Sequence, residues 1–328
     1  MKLLKYVVKH PFVNYLPDPQ DFEIIDSKIP ELKSGEFLVK AEYISTDPYL
    51  RSFAEKRKVP YDQFAFQVGK VVESKNPEFP INSNVVSHSG WRDYSVLNGG
   101  PDNIFGIRPY IPQIGDLPLS LAVGALGMPG MTAYLGLLEI CKPKTGEVVC
   151  VTSAAGAVGS LVGQIAKLKG CTVIGFAGSD EKVKVLTEEL GFDHAFNYKT
   201  VKDVPGAITS VTPGIDCFFD NVGGELSTEI MKCMKKHGRV AVCGSISTYG
   251  NPAQLKMPNI PSHVAVQSFS FTQWDPVQQT AALLELKKWL EIGSIKAKET
   301  IVNGFEELPG TFIGMLRGDN IGKVVVKI

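Results

Sequence analysis

Two textures divide the chain. Up to about residue 120, short β-like runs such as Glu36 to Tyr43 (EFLVKAEY) and Phe66 to Val72 (FQVGKVV) sit between Pro- and Gly-rich stretches, a pattern that predicts a mostly β region. Beyond it, an apolar segment carrying Gly127-Met128-Pro129-Gly130 leads into Thr132 to Ile140, read as a helix that ends before Pro143. Near-continuous apolar strands are then expected at Val148 to Thr152, Thr172 to Ala177, Ala195 to Asn197, Asp216 to Asp220, Val240 to Gly244 and Ala265 to Phe271. Between them the 3.6-residue period predicts helices at Gly156 to Lys169, Asp180 to Leu190 and Glu225 to Lys236, with another at Pro276 to Ile292. Fully apolar strands alternating with amphipathic helices indicate an α/β fold with a doubly wound parallel sheet covered on both faces. The expected division is residues 1–120, 121–292 and 293–328, the last ending in a β-run, Lys323 to Ile328, that packs back on the first region.

The turn after the first apolar strand carries the chemistry. Residues 151 to 163 read VTSAAGAVGSLVG, so Ala154, Gly156 and Gly159 stand where a G-x-G-x-x-G fingerprint has three glycines. Following a buried strand and opening a helix, this is a Rossmann dinucleotide turn. Gly156 and Gly159 hold the positions where backbone approaches the pyrophosphate and helix packs on strand, while Ala154 replaces a residue that only shapes the turn. NAD-binding chains put an acid at the end of the next strand, about 20 residues on. Here Ala177 and Gly178 occupy that place, followed by Ser179 and, one turn into the helix, Lys182. A 2′-phosphate fits that end, which favours NADPH; Asp180 is either the helix N-cap or a displaced ribose acid.

Charge narrows the partners. With 34 basic against 34 acidic residues and 21% charged, nothing steers the chain to nucleic acid or an anionic membrane, and a small ligand is expected. No apolar stretch approaches the ~20 residues needed to span a bilayer. The six cysteines (141, 150, 171, 217, 233 and 243) form no C-x-x-C pair, which suits small hydrophobic side chains in a reducing cytoplasm.

Beyond these readings, Asp47 to Arg51 (DPYLR), Ala154 to Gly170 (AAGAVGSLVGQIAKLKG), Gly178 to Lys182 (GSDEK), Phe196 to Lys199 (FNYK), Phe219 to Gly224 (FDNVGG), Cys243 to Tyr249 (CGSISTY) and Gly314 to Gly322 (GMLRGDNIG) together resemble the zinc-independent medium-chain reductases over essentially the whole chain. The resemblance implies a GroES-like catalytic domain, a Rossmann domain, NADPH/NADP as cofactor and a cytoplasmic homodimer. It further implies that Gly156, Ala157, Val158 and Gly159 hold the pyrophosphate, that Lys182 and Tyr198 contact the adenosine phosphate, and that Asn221 contacts a ribose or the bridging phosphates. Cys243, Gly244, Ser245, Ile246, Ser247, Thr248 and Tyr249, with Phe269, Ser270 and Phe271, would line the nicotinamide side, and Asn320 would reach in from the C-terminal segment.

The zinc ligands of the wider superfamily are missing. Tyr43-Ile44-Ser45-Thr46 precedes Asp47 without a cysteine, Phe66-Gln67-Val68-Gly69 stands where a Gly-His-Glu would, and the five histidines (10, 88, 194, 237 and 263) fit no ligand spacing. A reductase without metal does best on an activated alkene, where hydride adds to the β-carbon and charge moves to a hydrogen-bonded enolate oxygen. Tyr49 and Tyr249 are the candidate protein donors. The resemblance implies reduction of α,β-unsaturated ketones and aldehydes, 15-oxo-prostaglandins and lipid enals among them, and oxidation of leukotriene B4-type alcohols. A quinone reductase and an NADPH-binding protein without turnover stay open. One position departs from the family: about eight residues before Phe269, where a tyrosine is usual, stands Pro261, with His263 nearby as a possible donor, in a segment (PNIPSHVAV) that also reads as shortened.

Overall fold

The computed structural model describes residues 2–102, 104–250 and 260–328. Along the chain run β1 Lys2–Val8, β2 Phe22–Lys28, β3 Phe37–Ser45, α1 Tyr49–Ala54, β4 Tyr61–Asp62, β5 Gln67–Ser74, β6 Asn84–Ser87 and β7 Tyr94–Leu97. Next come α2 Met128–Leu135, β8 Val148–Thr152, α3 Gly159–Leu168, β9 Thr172–Ala177, α4 Asp180–Lys184, β10 His194–Asn197, α5 Val204–Thr209, β11 Ile215–Asp220, α6 Gly224–Met231, β12 Met234–Val242, β13 Ala265–Ser268 and α7 Pro276–Glu291. The chain closes with β14 Glu299–Asn303, α8 Leu308–Arg317 and β15 Lys323–Lys327.

These elements form two compact units. The first comprises Met1–Gly124 with Thr300–Asn320 and Val324–Ile328; the second comprises Ala125–Glu299 with Ile321–Lys323. In the first, β15 pairs antiparallel with β3, Val325 opposite Ser45 and Val326 opposite Ile44, so the end of the chain is built into the sheet formed in the order β14-β15-β3-β5-β6. Phe37, Val39, Val71, Phe79 and Val85 pack as its core.

In the second unit the strand order is β10-β9-β8-β11-β12-β13, and each strand pairs parallel with its neighbours. The order reverses between β8 and β11, the switch point at whose carboxyl edge doubly wound folds bind ligands. Cys150, Ile174, Phe176 and Phe218 are fully buried in the core of this sheet, each large side chain contributing about 1.5–3 kcal/mol by leaving water.

Several element ends differ from the sequence expectation, each for a local reason. The helix expected over Glu225 to Lys236 stops at Met231, because Met234 pairs with Ile215 and starts β12 early. The last parallel strand ends at Ser268 rather than Phe271; Ser270 then caps a 3-10 turn by accepting the Thr272 N–H, which buries Phe271. The helix expected from Thr132 begins at Met128, with Pro129 in its first turn, and continues through Gly136–Cys141 as a π-helical segment.

Candidate functional site

The helix after β8 starts at Gly159, not Gly156, and the residues between form an open turn. The Ala154 N–H donates to Phe176 O at 2.9 Å, pinning the turn to β9. Ala154 is fully buried, and its methyl lies 3.0 Å from where a Cβ on Gly175 would stand. The alanine therefore fills space that a glycine in the neighbouring strand leaves. A Cβ on Gly159 would lie 2.4 Å from Ser153 O and 2.9 Å from Ala154 Cα, whereas one on Gly156 meets only Ser153 O and Oγ, at 3.1 Å. The N–H groups of Ala157, Val158 and Gly159 find no acceptor among the described residues. Three free amides at the start of a ten-residue helix, at the switch point, form a cradle of the kind that suits an anion. From the far end of the chain, Gly322 donates its N–H to Ala155 O at 2.7 Å and bridges Gly156. Asn320 stands two residues before it in sequence.

At the end of β9, Ala177 and Gly178 carry no charge, and a Cβ on Gly178 would lie 3.3 Å from the Tyr198 hydroxyl. Tyr198 follows β10, held by its N–H to Ala177 O at 3.0 Å, and is 40% exposed. Ser179 is the N-cap, its hydroxyl accepting the Lys182 N–H; this resolves the alternative for Asp180, which is not the cap. Its carboxylate instead accepts from Asn197 Nδ2 at 2.8 Å.

Across the switch point, β11 ends in Asp220, whose buried Oδ1 accepts from Thr152 Oγ1 (2.9 Å), Val222 N (3.0 Å), Gly223 N (3.1 Å) and Ser227 Oγ (2.7 Å). The sequence reading assigned Asp220 no role, yet it organises the turn that carries Asn221. One amide N–H of Asn221 is spent on Thr152 O at 2.7 Å, which ties the ends of β8 and β11 together. The loop after β12 lies on this turn: Cys243 N and Gly244 N donate to Asp220 O, Ile246 N to Asn221 O and Ser247 N to Val222 O. Burial pushes the Cys243 thiol up to about 12. Thr248 N returns to Ser245 O, and the Tyr249 hydroxyl lies 3.3 Å from the Cβ that Gly244 lacks. The structure therefore gathers residues 152–159, 220–223 and 243–249 at one sheet edge. Phe269 donates its N–H to Val242 O beside them, but its ring packs on Phe219 and Trp274 and fills the space a side chain on Gly136 would need. Ser270 is exposed and Phe271 is buried. Pro261 O accepts the Val264 N–H and His263 O the His237 N–H, while Pro258 and Asn259, the first two residues of the shortened segment, lie with residues 251–257 outside the described residues.

Tyr49 lies in the first unit, at the start of α1. Its hydroxyl is 3.0 Å from His88 Nε2. The His88 side chain is 1% exposed, edge-on to Phe66 and Phe105 with ring centroids at 4.6 and 5.2 Å. Its Nδ1 stands 3.7 Å from Asp102 Oδ1, a carboxylate held by the N–H groups of Ile104, Phe105 and Ile107. Burial brings the His88 pKa down to about 4, against the opposing pull of Asp102 and Asp47, and raises that of Tyr49 well above the ordinary phenol value. A neutral imidazole thus buttresses the Tyr49 hydroxyl. Sequence spacing gave no sign of this pair, since 39 residues separate its members.

Among the described residues no group of three or more His, Cys, Asp or Glu is placed to hold a metal ion, and no helix is long and apolar enough to cross a membrane. All six thiols are free.

A doubly wound sheet with an amide cradle at its switch point, joined to a mostly β unit that includes the chain's end, defines an oxidoreductase class, and the chain belongs to it: it is a member of the medium-chain dehydrogenase/reductase family. The family model described as zinc-binding dehydrogenase matches residues 157–286, and that of the N-terminal domain of oxidoreductase matches residues 6–104. The chain is 47% identical over 318 residues to prostaglandin reductase 1 of Rattus norvegicus, covering 95% of each. It is 39% identical over 340 residues to the NADP(+)-dependent 2-alkenal reductase of Nicotiana tabacum, covering 99% of this chain and 97% of that one. The crystal structure of CurA in complex with NADPH from Vibrio vulnificus superimposes with a TM-score of 0.88 at 33% identity, covering 99% and 98% of the two chains.

Proposed function

We propose that this oxidoreductase uses NADPH to reduce the carbon–carbon double bond of α,β-unsaturated ketones and aldehydes, with 15-oxo-prostaglandins and lipid enals as substrate classes, and that in a separate reaction it oxidises leukotriene B4-type alcohols, hydride passing from the carbinol carbon to NADP and the hydroxyl proton to solvent. The cofactor is NADPH/NADP. The observation that carries the reading is the set of three unpartnered amides at Ala157, Val158 and Gly159, in a chain whose relatives are named prostaglandin reductase and NADP-dependent 2-alkenal reductase.

The residues fit the cofactor. The amides of the turn receive the pyrophosphate, the end of β9, uncharged at Ala177 and Gly178, with Lys182 and Tyr198 receives the 2′-phosphate, and Asn221, immobilised on Thr152, presents the rest of its amide to a ribose or the bridging phosphates. Residues 243–249, the 269–271 segment and Asn320 are assigned to the nicotinamide side. When bound, NADPH supplies the hydride. The chain's own part is to orient the substrate and hydrogen-bond the oxygen on which charge gathers. The hydroxyls of Tyr249 and of Tyr49, the latter buttressed by His88, are the protein groups that would donate that hydrogen bond. In this reading residues 1–120 form the GroES-like catalytic domain, residues 121–292 bind NADP and residues 293–328 return to the catalytic domain.

Six free thiols suit a reducing cytoplasm. A homodimer is supported by β13, an edge strand of the parallel sheet, and by α7, whose Val277 and Leu284 are 77% and 47% exposed; a second copy would cover both.

NADPH oxidation by the purified protein, followed with an enone, an enal, a quinone and no substrate, tests the function. Enone- and enal-dependent turnover exceeding that with the quinone is expected. A quinone preference, or NADPH binding without turnover, refutes it.

A further inference from the structure

Past the strand end assigned to the adenosine ribose, the first carboxylate in the chain is that of Asp180, and a partner holds it. Asp180 follows Ser179 at the start of α4, three residues after the Ala177 position where NAD-binding chains place their ribose acid. Asn197 is the last residue of β10 and pairs in register with Ala177, so the two strand ends lie side by side. Its amide has a fixed orientation: Oδ1 accepts the Lys199 N–H at 3.1 Å, which turns Nδ2 toward Asp180 Oδ1 at 2.8 Å. The Asn197 carbonyl is itself bound by the N–H groups of Thr200 and Val201, both at 3.0 Å, so the donor sits on an anchored turn. An acid free to swing toward the ribose would accept from the 2′-hydroxyl of NAD and repel the 2′-phosphate of NADP.

We propose that Asn197 is a positioning residue for cofactor choice: it holds the Asp180 carboxylate on the β10 side and so keeps the β9 end open to a 2′-phosphate. The inference rests on the NADPH reading above. Adenosine 2′,5′-bisphosphate and 5′-AMP differ only by the 2′-phosphate, and their binding by calorimetry reads that site without turnover. In Asn197→Ala the freed acid should weaken the bisphosphate roughly five- to tenfold, the like-charge repulsion expected across a few ångströms of water, and leave 5′-AMP within about twofold. Adding Asp180→Asn should restore the bisphosphate, because the carboxylate that needs restraint is gone. Asn197→Ser, which retains a shorter donor, should fall between. Equal loss of both probes in Asn197→Ala, or a loss that Asp180→Asn does not reverse, overturns the inference alone. Equal binding of both probes by the unaltered protein overturns the cofactor reading and this inference with it.

Discussion

Gly156 and Gly159 lie three residues apart in the same turn, yet the structure predicts opposite consequences for adding one methyl to each. At Gly159 the new Cβ would stand 2.4 Å from Ser153 O, 2.9 Å from Ala154 Cα and 3.0 Å from Ser153 C. All three are backbone atoms, and Ala154 is pinned to β9 by its bond to Phe176 O, so relief requires α3 to lift from the sheet. Overpacking of this kind costs roughly 1–3 kcal/mol, which for a unit of this size is about 2–10 °C in Tm. At Gly156 the contacts are 3.1 Å to Ser153 O and Oγ, and a small outward shift relieves them. Gly156→Ala should therefore cost under about 1 kcal/mol in the cofactor-free protein, while its methyl, at the position where a fingerprint's backbone approaches the pyrophosphate, should weaken NADPH. Urea unfolding of the cofactor-free variants, followed by circular dichroism, measures the first effect; the rise in Tm on adding NADPH measures the second, since a ligand that binds only the folded state stabilises it. Unfolding of Gly156→Ala ahead of Gly159→Ala, or equal NADPH protection of Gly156→Ala and the unaltered protein, would refute the assignment of helix packing to one glycine and phosphate approach to the other.

Two further outcomes follow from other parts of the molecule. His88 binds its proton near pH 4 in the fold and near 6.5 when unfolded, so the unfolded chain takes the proton first as pH falls; stability present above 6.5 is lost progressively down to 4, by up to about 3 kcal/mol. Histidine NMR should show His88 still neutral at pH values where surface imidazoles are charged, and a His88 signal titrating near 6.5 would contradict the buried pairing with Tyr49. Light scattering should give twice the 35.7 kDa of one chain, and a Val277→Glu change should shift the mass toward a single chain; a single-chain mass for the unaltered protein would refute the proposed dimer.

The parallel strands were legible where burial on both faces makes a strand apolar throughout. Val148 to Thr152 and Thr172 to Ala177 end where their apolar runs end. Legibility failed where the same residue serves either period. Cys233 and Met234 continue the apolar stripe of α6, but Met234 enters the sheet opposite Ile215, a long-range pairing that local periodicity does not contain. The strand–turn–helix at residues 148–168 was recognisable because its signal is local, a strand, two spaced glycines and a helix. The Tyr49–His88 contact was not, because three sheet strands intervene between them and a lone histidine in sequence carries no sign of burial. Asp180 fell between the two: its place just past the end of β9 was readable, but its restraint by Asn197 depends on the register of β10 against β9.

The bond from Gly322 to Ala155 also orders events during synthesis. Every strand of the parallel sheet precedes residue 269, so the sheet can assemble while the chain is still being made, but the phosphate turn gains its last partner only when residue 322 emerges. Gly322 has a φ of 71°, and a Cβ there would lie 1.9 Å from Lys298 O, so no other residue type fits this late closure. A nascent chain halted before that point would carry a nearly complete nucleotide fold with its cradle unlatched.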